Sequence, residues 1–560
     1  MAEIANVIAR KILEELRSLV NQELCSAWGV QSDLKKLEST VLAIKALLFD
    51  AEEKEASNHR LSLWLGQLKG VHNDAENVLD EFQYLGIRER VDDISALKAE
   101  FNLVAQLEVR KTTMHKRDMS HMTHSFVPPQ IVIGRDDDKK HIINLLMQQD
   151  ADRNVSVIPI VGIGGFGKTT IAKLGYHNEG VVSHFQLRMW ACVFEDFNVT
   201  TLIQEILKST NVTIDENLMI NKWIELIRLL LGGCIGSKII VTTRNSSIAT
   251  ITGTAPTYDL KGQPRKDSLS LFVKFAFKQG QDQYPNLLEI GKEIVRKCKG
   301  IPLAIKTIAG ILYSKVDEDK WKFVRDNEIW NLEQDGGILP ALRLSYNQLP
   351  FHLKQCFAYC SLFPKNYVFY SFKLIQFWMA YGIFQSLVNK NQALEDVGDL
   401  YIKELLLRSF FQDDNVHKFE CITFKMHDLV HDLALSIAQG ECSVVTKKST
   451  LVAEVCHLTF FDNDQEVTTQ LEKLSKVQTI IFQTNQPMSL LEVCISKFKY
   501  LRVLDLRESS FEVLPSFIET LKHLRYLDLS NIRKIKQLPD SICKLHSLQT
   551  LLLENCINLE

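Results

Sequence analysis

The stretch Val155-Ser-Val-Ile-Pro-Ile-Val161-Gly162-Ile-Gly164-Gly165-Phe-Gly167-Lys168-Thr169-Thr170 decides how the middle of this chain folds. Seven mostly apolar residues read as a buried strand, a glycine-rich turn follows, and helix-compatible residues come next. The turn fits the spacing GxxxxGK[ST]. Gly162, Gly164, Gly165 and Gly167 free the backbone to curl successive N–H groups around phosphate oxygens. The positive end of the following helix points at the same oxygens. Lys168 places a cation on the β- and γ-phosphates, the Thr169 hydroxyl is the natural ligand for a Mg²⁺ ion, and Thr170 completes the rim. An ordinary glycine-rich turn shares the glycines but not a lysine and two threonines opening a helix.

Outward from this turn, Leu187-Arg-Met-Trp-Ala-Cys-Val193 and Lys238-Ile-Ile-Val-Thr242 are two further runs of buried-strand type. Strands alternating with helices predict a parallel, doubly wound sheet over residues 131–253. Residues 254–440 read as helix, with aromatic-rich stretches around Leu353–Phe384. Upstream, apolar residues recur every three or four positions from Ile4 to Leu48 and again from Leu61, and no proline occurs before Phe126. Residues 1–118 therefore read as a helical bundle, with coiled-coil dimerisation as the alternative. Residues 119–130, with His121, His124 and Pro128-Pro129, read as a solvated linker, because no carboxylate or cysteine accompanies the histidines.

The C-terminal part repeats. Leu501-xx-Leu504-x-Leu506, Leu524-xx-Leu527-x-Leu529 and Leu548-xx-Leu551-x-Leu553 follow one another at 23 and 24 residues, with weaker copies at Val455-xx-Leu458-x-Phe460 and Val477-xx-Ile480-x-Phe482. This is the leucine-rich-repeat pattern, one short strand per solenoid turn. Leu504, Leu506, Leu527, Leu529, Leu551 and Leu553 are expected inside one core, and Asp505 and Asp528 on the concave surface. The last leucines, in mid-repeat near Glu560, are expected to be under-buried.

Composition narrows the function. Lys plus Arg is 65 against 68 Asp plus Glu, a net charge of −3, which does not fit a bulk nucleic-acid binder. The cysteines form no CxxC pair, and their reading is reduced, mostly buried thiols in a cytosolic protein. The N-terminal segment is interrupted by Glu3, Arg10, Lys11 and Glu14, so neither a signal peptide nor a membrane span is read.

The order of motifs resembles plant intracellular immune receptors of the coiled-coil, NB-ARC, leucine-rich-repeat class. Ile133-Gly134-Arg135-Asp136 is similar to the motif on the adenine side. Gly236-Ser-Lys-Ile-Ile-Val-Thr-Thr-Arg244 resembles the sensor strand and Gly300-Ile-Pro-Leu-Ala304 the GLPLA motif. Cys356–Pro364 and Met426-His427-Asp428 resemble winged-helix segments, and Asp74–Asp80 resembles the acidic motif of the helical domain. The resemblance implies a multidomain α and α/β architecture: helical bundle 1–118, linker 119–130, P-loop NTPase sheet 131–253, helical domain 254–338, winged helix 339–441 and repeats 442–560. It implies ADP or ATP as cofactor. Arg135 and the backbone of Ile133 and Gly134 would flank base and ribose, Pro302 would pack on the base, Arg244 would sense the γ-phosphate, and His427 would reach the β-phosphate of ADP. It further implies a cytoplasmic switch in plant defence. The repeats would sense a pathogen effector or a guarded host protein, the N-terminal bundle would self-associate and signal, activation would bring it to the plasma membrane, and no specific nucleic acid would be bound. The competing reading is a non-catalytic interaction or decoy protein with a vestigial nucleotide site.

One departure stands out. The family's second strand motif, apolar residues ending in an acidic pair, is not found between Lys168 and Gly236; a gap of several tens of residues is read at about Thr213–Asn221. That pair would hold Mg²⁺ or orient the attacking water. Mg²⁺ binding through Thr169 is therefore expected to be weak and ATP turnover negligible, and whether the chain is an enzyme stays open. With an interior strand missing, Leu187–Val193 is expected either to pair directly with Lys238–Val241 or to be displaced.

Overall fold

A computed structural model describes residues 132–148, 154–191, 236–278, 284–331, 339–384, 393–413, 422–438, 440–445, 451, 455–461 and 470–559. The expected bundle at 1–118, the linker at 119–130 and residues 192–235 of the segment searched for the acidic pair lie outside the described residues.

The strand read at Val155–Val161 (β1) is the middle of a parallel sheet of order β2-β1-β3, with β2 at Ser237–Thr243 and β3 at Tyr258–Asp259. β2 runs alongside β1 for its whole length, Val155 opposite Ser237 and Val161 opposite Thr243. β1 is buried, with Ile158 and Ile160 shut away from solvent, while β2 is only half-buried and its Ile239 is exposed. Helices Asp136–Met147 and Lys168–Tyr176 pack together on the sheet through Ile142 and Ile171.

The run at Leu187 corrects the reading as a buried strand, and its described part takes the second of the two expected courses, displacement. Residues 187–191 form no strand and Leu187 is exposed; Cys192 and Val193 lie outside the described residues. Arg188 donates to the Tyr176 carbonyl (2.7 Å) and lies over the Tyr176 ring, and Trp190 meets the same ring edge-on at 5.6 Å. Cation and aromatic side chains thus dock this segment on the end of helix Lys168–Tyr176.

Residues 265–326 form four helices, Arg265–Ala276, Pro285–Lys297, Pro302–Leu312 and Glu318–Asp326, two of them opening on a proline that needs no N–H partner at that position. Trp321 fills their centre against Phe272 and Phe277 and donates its indole N–H to the Lys315 carbonyl. The next unit sets helices Pro340–Asn347, Phe351–Tyr359, Ser371–Tyr381, Leu394–Leu407 and Asp428–Ile437 around an antiparallel sheet of order β4-β6-β5 (Phe369–Tyr370, Thr423–Met426, Phe411–Asp413). The rings of Phe369, Phe424 and Phe411 stack across it. These strands and β3 correct the reading of residues 254–440 as helix throughout: they are two to four residues long, too short for an alternating pattern to show in sequence.

The repeats form a parallel sheet in sequence order: β7 Cys442–Val445, β8 His457–Phe460, β9 Thr479–Phe482, β10 Val503–Asp505, β11 Tyr526–Asp528 and β12 Thr550–Leu552. β7 was not read as a repeat strand. Leu504, Leu506, Leu527 and Leu529 are fully buried, while Leu551 is 38% exposed. Asp505 and Asp528 point out of the solenoid core as expected, yet they too are fully buried, because helix Ser371–Tyr381 lies across the concave face.

Candidate functional site: a phosphate loop at converging helix ends

The loop 162–167 leaves β1 and enters helix Lys168–Tyr176 through Gly165 (φ +81°) and Gly167 (φ +94°), backbone conformations that L side chains rarely adopt. Its outer surface is walled by other elements. A Cβ on Gly164 would stand 2.9 Å from the Leu429 side chain, and one on Gly165 3.1 Å from both Ile301 and Leu303. Leu429 lies in the first turn of helix Asp428–Ile437, and Ile301 and Leu303 bracket Pro302 at the start of helix Pro302–Leu312. The fourth contact comes from Arg135, the N-cap residue of helix Asp136–Met147. It is 6% exposed and donates through Nη2 to the Phe166 carbonyl at 2.9 Å. Four helix N-termini therefore converge on one glycine loop. Each brings the positive end of a helix dipole, an arrangement suited to polyanions.

The charged side chains agree. Lys168 is buried and donates from Nζ to the Gly162 and Ile163 carbonyls at 2.6 and 3.1 Å. Burial, then the Arg244 guanidinium, lower its pKa to about 8, with Asp428 acting in the opposite sense. Arg244 follows β2 directly, level with Gly162, since Thr243 pairs with Val161. His427 caps helix Asp428–Ile437: its Nδ1 accepts the Leu429 N–H at 3.1 Å. In the neutral ring the proton therefore sits on Nε2, which is left to donate. Burial lowers the His427 pKa, Asp428 opposes this, and Arg244 and Lys168 lower it further. Lys168 and Arg244 are thus repelling cations, and both disfavour a charge on the buried His427 beside them, a conflict that an anion would reconcile.

On the other side of the loop, Gly134 (φ +69°) presses on Asp267, where a Cβ would stand 2.3 Å from the Asp267 Cβ. Gln263 donates through Nε2 to the Ile133 carbonyl at 2.5 Å, and its own N–H bonds the Gly300 carbonyl at 2.8 Å. The motif at 133–136 and the motif at 300–304 are therefore joined through Gln263. Asp138 orients Arg135 (2.9 Å) while accepting the Tyr258 hydroxyl. The Arg135 Nε is buried without a partner. The loop that excludes Cβ atoms, the clustered cations and this unpaired donor all fit a nucleotide. Thr169 is exposed, Thr170 half-buried, and among the described residues no group of three His, Cys, Asp or Glu side chains could hold a metal ion.

Of the residues nominated from sequence outside the loop, Arg135, Arg244, Pro302 and His427 lie beside it, while Ile133 and Gly134 meet Gln263 and Asp267 instead. Asp138, Tyr258, Gln263 and Leu429 were missed. Asp138, three residues beyond Arg135 at a helix start, could have been found by its spacing. The other three reach the site only through tertiary contacts.

Four family models match the chain: the Rx N-terminal domain over residues 8–119, the NB-ARC domain over 135–232, the disease resistance protein winged helix domain over 362–434 and a leucine-rich repeat region over 476–559. Disease resistance protein RGA2 of Solanum bulbocastanum is 36% identical over 93% of this chain and 57% of its own length. Putative disease resistance protein RGA1 of the same species is 34% identical over 95% and 57%, and putative disease resistance RPP13-like protein 1 of Arabidopsis thaliana 31% identical over 93% and 56%. The chain thus spans a little over half the length of these relatives. A signal transduction ATPase with a tetratricopeptide repeat sensor from Pyrococcus horikoshii aligns over 62% of this chain and 45% of its own at 14% identity, with a TM-score of 0.34 that carries no argument.

Proposed function

The chain belongs to the plant disease-resistance family that joins a coiled-coil-type N-terminal domain, an NB-ARC domain, a winged helix and leucine-rich repeats, and from that premise we propose that it is an ADP/ATP-operated switch in plant defence. The observation that carries the proposal is the convergence of helix ends from three units on the loop 162–167, together with Lys168, Arg244 and His427. A nucleotide bound there would touch all three units at once, so its phosphates would decide whether they stay together.

In this reading Gly162, Gly164, Gly165, Gly167, Thr169 and Thr170 cradle the phosphates and Lys168 neutralises them. The His427 Nε2–H donates to the β-phosphate of ADP and holds helix Asp428–Ile437 against the loop. Arg244 stands where a γ-phosphate would extend and answers to its presence. Ile133, Gly134, Arg135 and Pro302 enclose the base and ribose. When bound to Thr169, Mg²⁺ would supply charge neutralisation. The domain limits given above, 131–253, 254–338, 339–441 and 442–560, are the moving parts. We assign the protein to the cytoplasm, and no described helix is long and apolar enough to cross a membrane. The repeats would answer to a pathogen effector or guarded host protein, and residues 1–118 would self-associate and bring the active form to the plasma membrane.

The acidic pair not found in the sequence between Lys168 and Gly236 favours slow or absent hydrolysis. The test is the nucleotide content of protein purified without added nucleotide, with ATP turnover followed alongside. Stoichiometric ADP and negligible turnover are expected. Protein free of nucleotide that acquires none from millimolar ADP would refute the switch and leave the decoy reading.

A further inference from the structure

We propose that Gln263 selects the base of the nucleotide, accepting a hydrogen bond from an exocyclic amine and rejecting a base that carries a carbonyl oxygen at that position. The inference rests on the nucleotide reading of the site.

Gln263 is 7% exposed, and its Oε1 is buried with no hydrogen-bond partner. A carbonyl oxygen withdrawn from water and left unpaired is costly, and natural proteins seldom tolerate one without a role for it. The rest of the residue is fully engaged. Nε2 donates to the Ile133 carbonyl, the backbone N–H donates to the Gly300 carbonyl, and the backbone carbonyl accepts the Ser268 hydroxyl at 3.3 Å. The amide therefore cannot turn over to suit a ligand: rotation would set Oε1 against the Ile133 oxygen, acceptor to acceptor. A group held this way presents an acceptor only.

Its place is between the two segments assigned to the base, 133–135 on one side and 300–302 on the other, and it bonds to both. Gly262 and Gly300 make this close approach feasible: a Cβ on Gly300 (φ +68°) would meet the Gln263 carbonyl oxygen at 2.6 Å, and one on Gly262 the Lys299 carbonyl at 2.8 Å. Adenine carries an amine donor at its six-position, whereas guanine carries a carbonyl oxygen there. A fixed acceptor is satisfied by the first and opposed by the second.

The test compares two nucleotides that share sugar, phosphates and ring system, ADP and inosine 5′-diphosphate, which replaces the amine with oxygen. On the full chain the dissociation constants should differ at least about tenfold in favour of ADP. Gln263→Leu and the volume-preserving Gln263→Met should bring the two within about threefold, with melting temperatures near the parent value to show that the fold survives. Equal binding of the two nucleotides by the parent, or an undiminished preference in a folded variant, overturns the role of Gln263 while leaving the site intact. If either variant fails to fold, the parent's own preference and the other variant decide. A parent that binds neither nucleotide overturns the underlying site as well.

Discussion

Lys373 Nζ stands 2.6 Å from Asp528 Oδ2, although 155 residues separate them, and the pair is buried. Lys373 lies in the first turn of helix Ser371–Tyr381, and Asp528 ends the strand of one repeat; Asp505, at the same position of the previous repeat, is 3.5 Å from the same ammonium. Arg507 pairs with Asp505 and lies 3.5 Å from Asp528, so two cations and two carboxylates balance. Burial pushes the Asp528 carboxyl up, but Lys373 and Arg507 outweigh it and hold the pKa below its usual value. At the other end of the helix, Arg502 and Arg525, again equivalent in the two repeats, donate to the Tyr381 and Ala380 carbonyls at 3.0 and 3.4 Å. The repeats grip the helix by both ends, cations on its carbonyls and acids near its start, in keeping with its dipole. This part of the concave face is occupied by the chain itself.

Lys373→Met leaves Arg507 as the one cation paired with Asp505 and Asp528, with the Tyr526 hydroxyl and the Ser530 N–H still donating to Asp528. Breaking a buried pair costs about 3–5 kcal/mol, much of it the penalty of an uncompensated charge. A denaturant titration should show that loss. A loss under about 1 kcal/mol would mean that Arg507 suffices.

Gly310→Ala should destabilise, although alanine is the better helix former by about 1 kcal/mol. The added Cβ would stand 2.5 Å from the Leu407 carbonyl oxygen and 2.8 Å from the Arg408 Cα, and backbone cannot turn aside. Overpacking of this kind costs about 1–3 kcal/mol. Urea unfolding decides the sign; a stabilised variant would show that the two helices can separate freely.

His427→Ala should speed ADP release about tenfold by removing both the Nε2–H donor and the cap on the Leu429 N–H. His427→Asn should keep the cap while losing the phosphate contact, so fast release with an unchanged melting temperature is the result to look for. Equal release rates in all three proteins would remove His427 from the site.

Lys168 gives a pH dependence. Its pKa in the free protein is about 8, and only the ammonium assists an incoming polyphosphate, which then raises that pKa. ADP affinity should therefore be full below pH 8 and fall as pH rises above it. Isothermal titrations at pH 7 and 9 test this. Lys168→Arg, always charged, should bind more weakly but without the alkaline decline, and Lys168→Ala should not retain nucleotide.

Acid should weaken the fold through three histidines. Burial lowers His352 to about 4 and also lowers His427 and His431. Their folded pKa values lie below the unfolded value of about 6.5, so the unfolded chain takes up more protons between the two. Stability is greatest above about pH 6.5 and is lost as pH falls toward 4. His352→Phe keeps a ring stacked on Tyr401 and should flatten the decline in melting temperature between pH 7 and 5.

The sequence by itself determined what is local or periodic. GxxxxGKT between an apolar run and a helix names a phosphate loop, because its geometry is written in consecutive residues. The LxxLxL period likewise names a solenoid, because each repeat sees the same neighbours. Ile133, Arg135, Arg244, Pro302 and His427 were nominated by resemblance to short motifs, which say nothing of the helix ends that bring Arg135, Pro302 and His427 to one loop. Tertiary structure decided the rest. Leu187–Trp190 reads as a strand until the end of helix Lys168–Tyr176 offers it partners. Asp505 and Asp528 read as acids on a concave surface, and their burial follows only when Lys373 is set across them. Gln263 has no signature at all, since its meaning comes from the Ile133 and Gly300 carbonyls on either side. In each case the deciding energy is a contact between residues far apart in the chain, and burial and charge pairing are settled only when those residues meet.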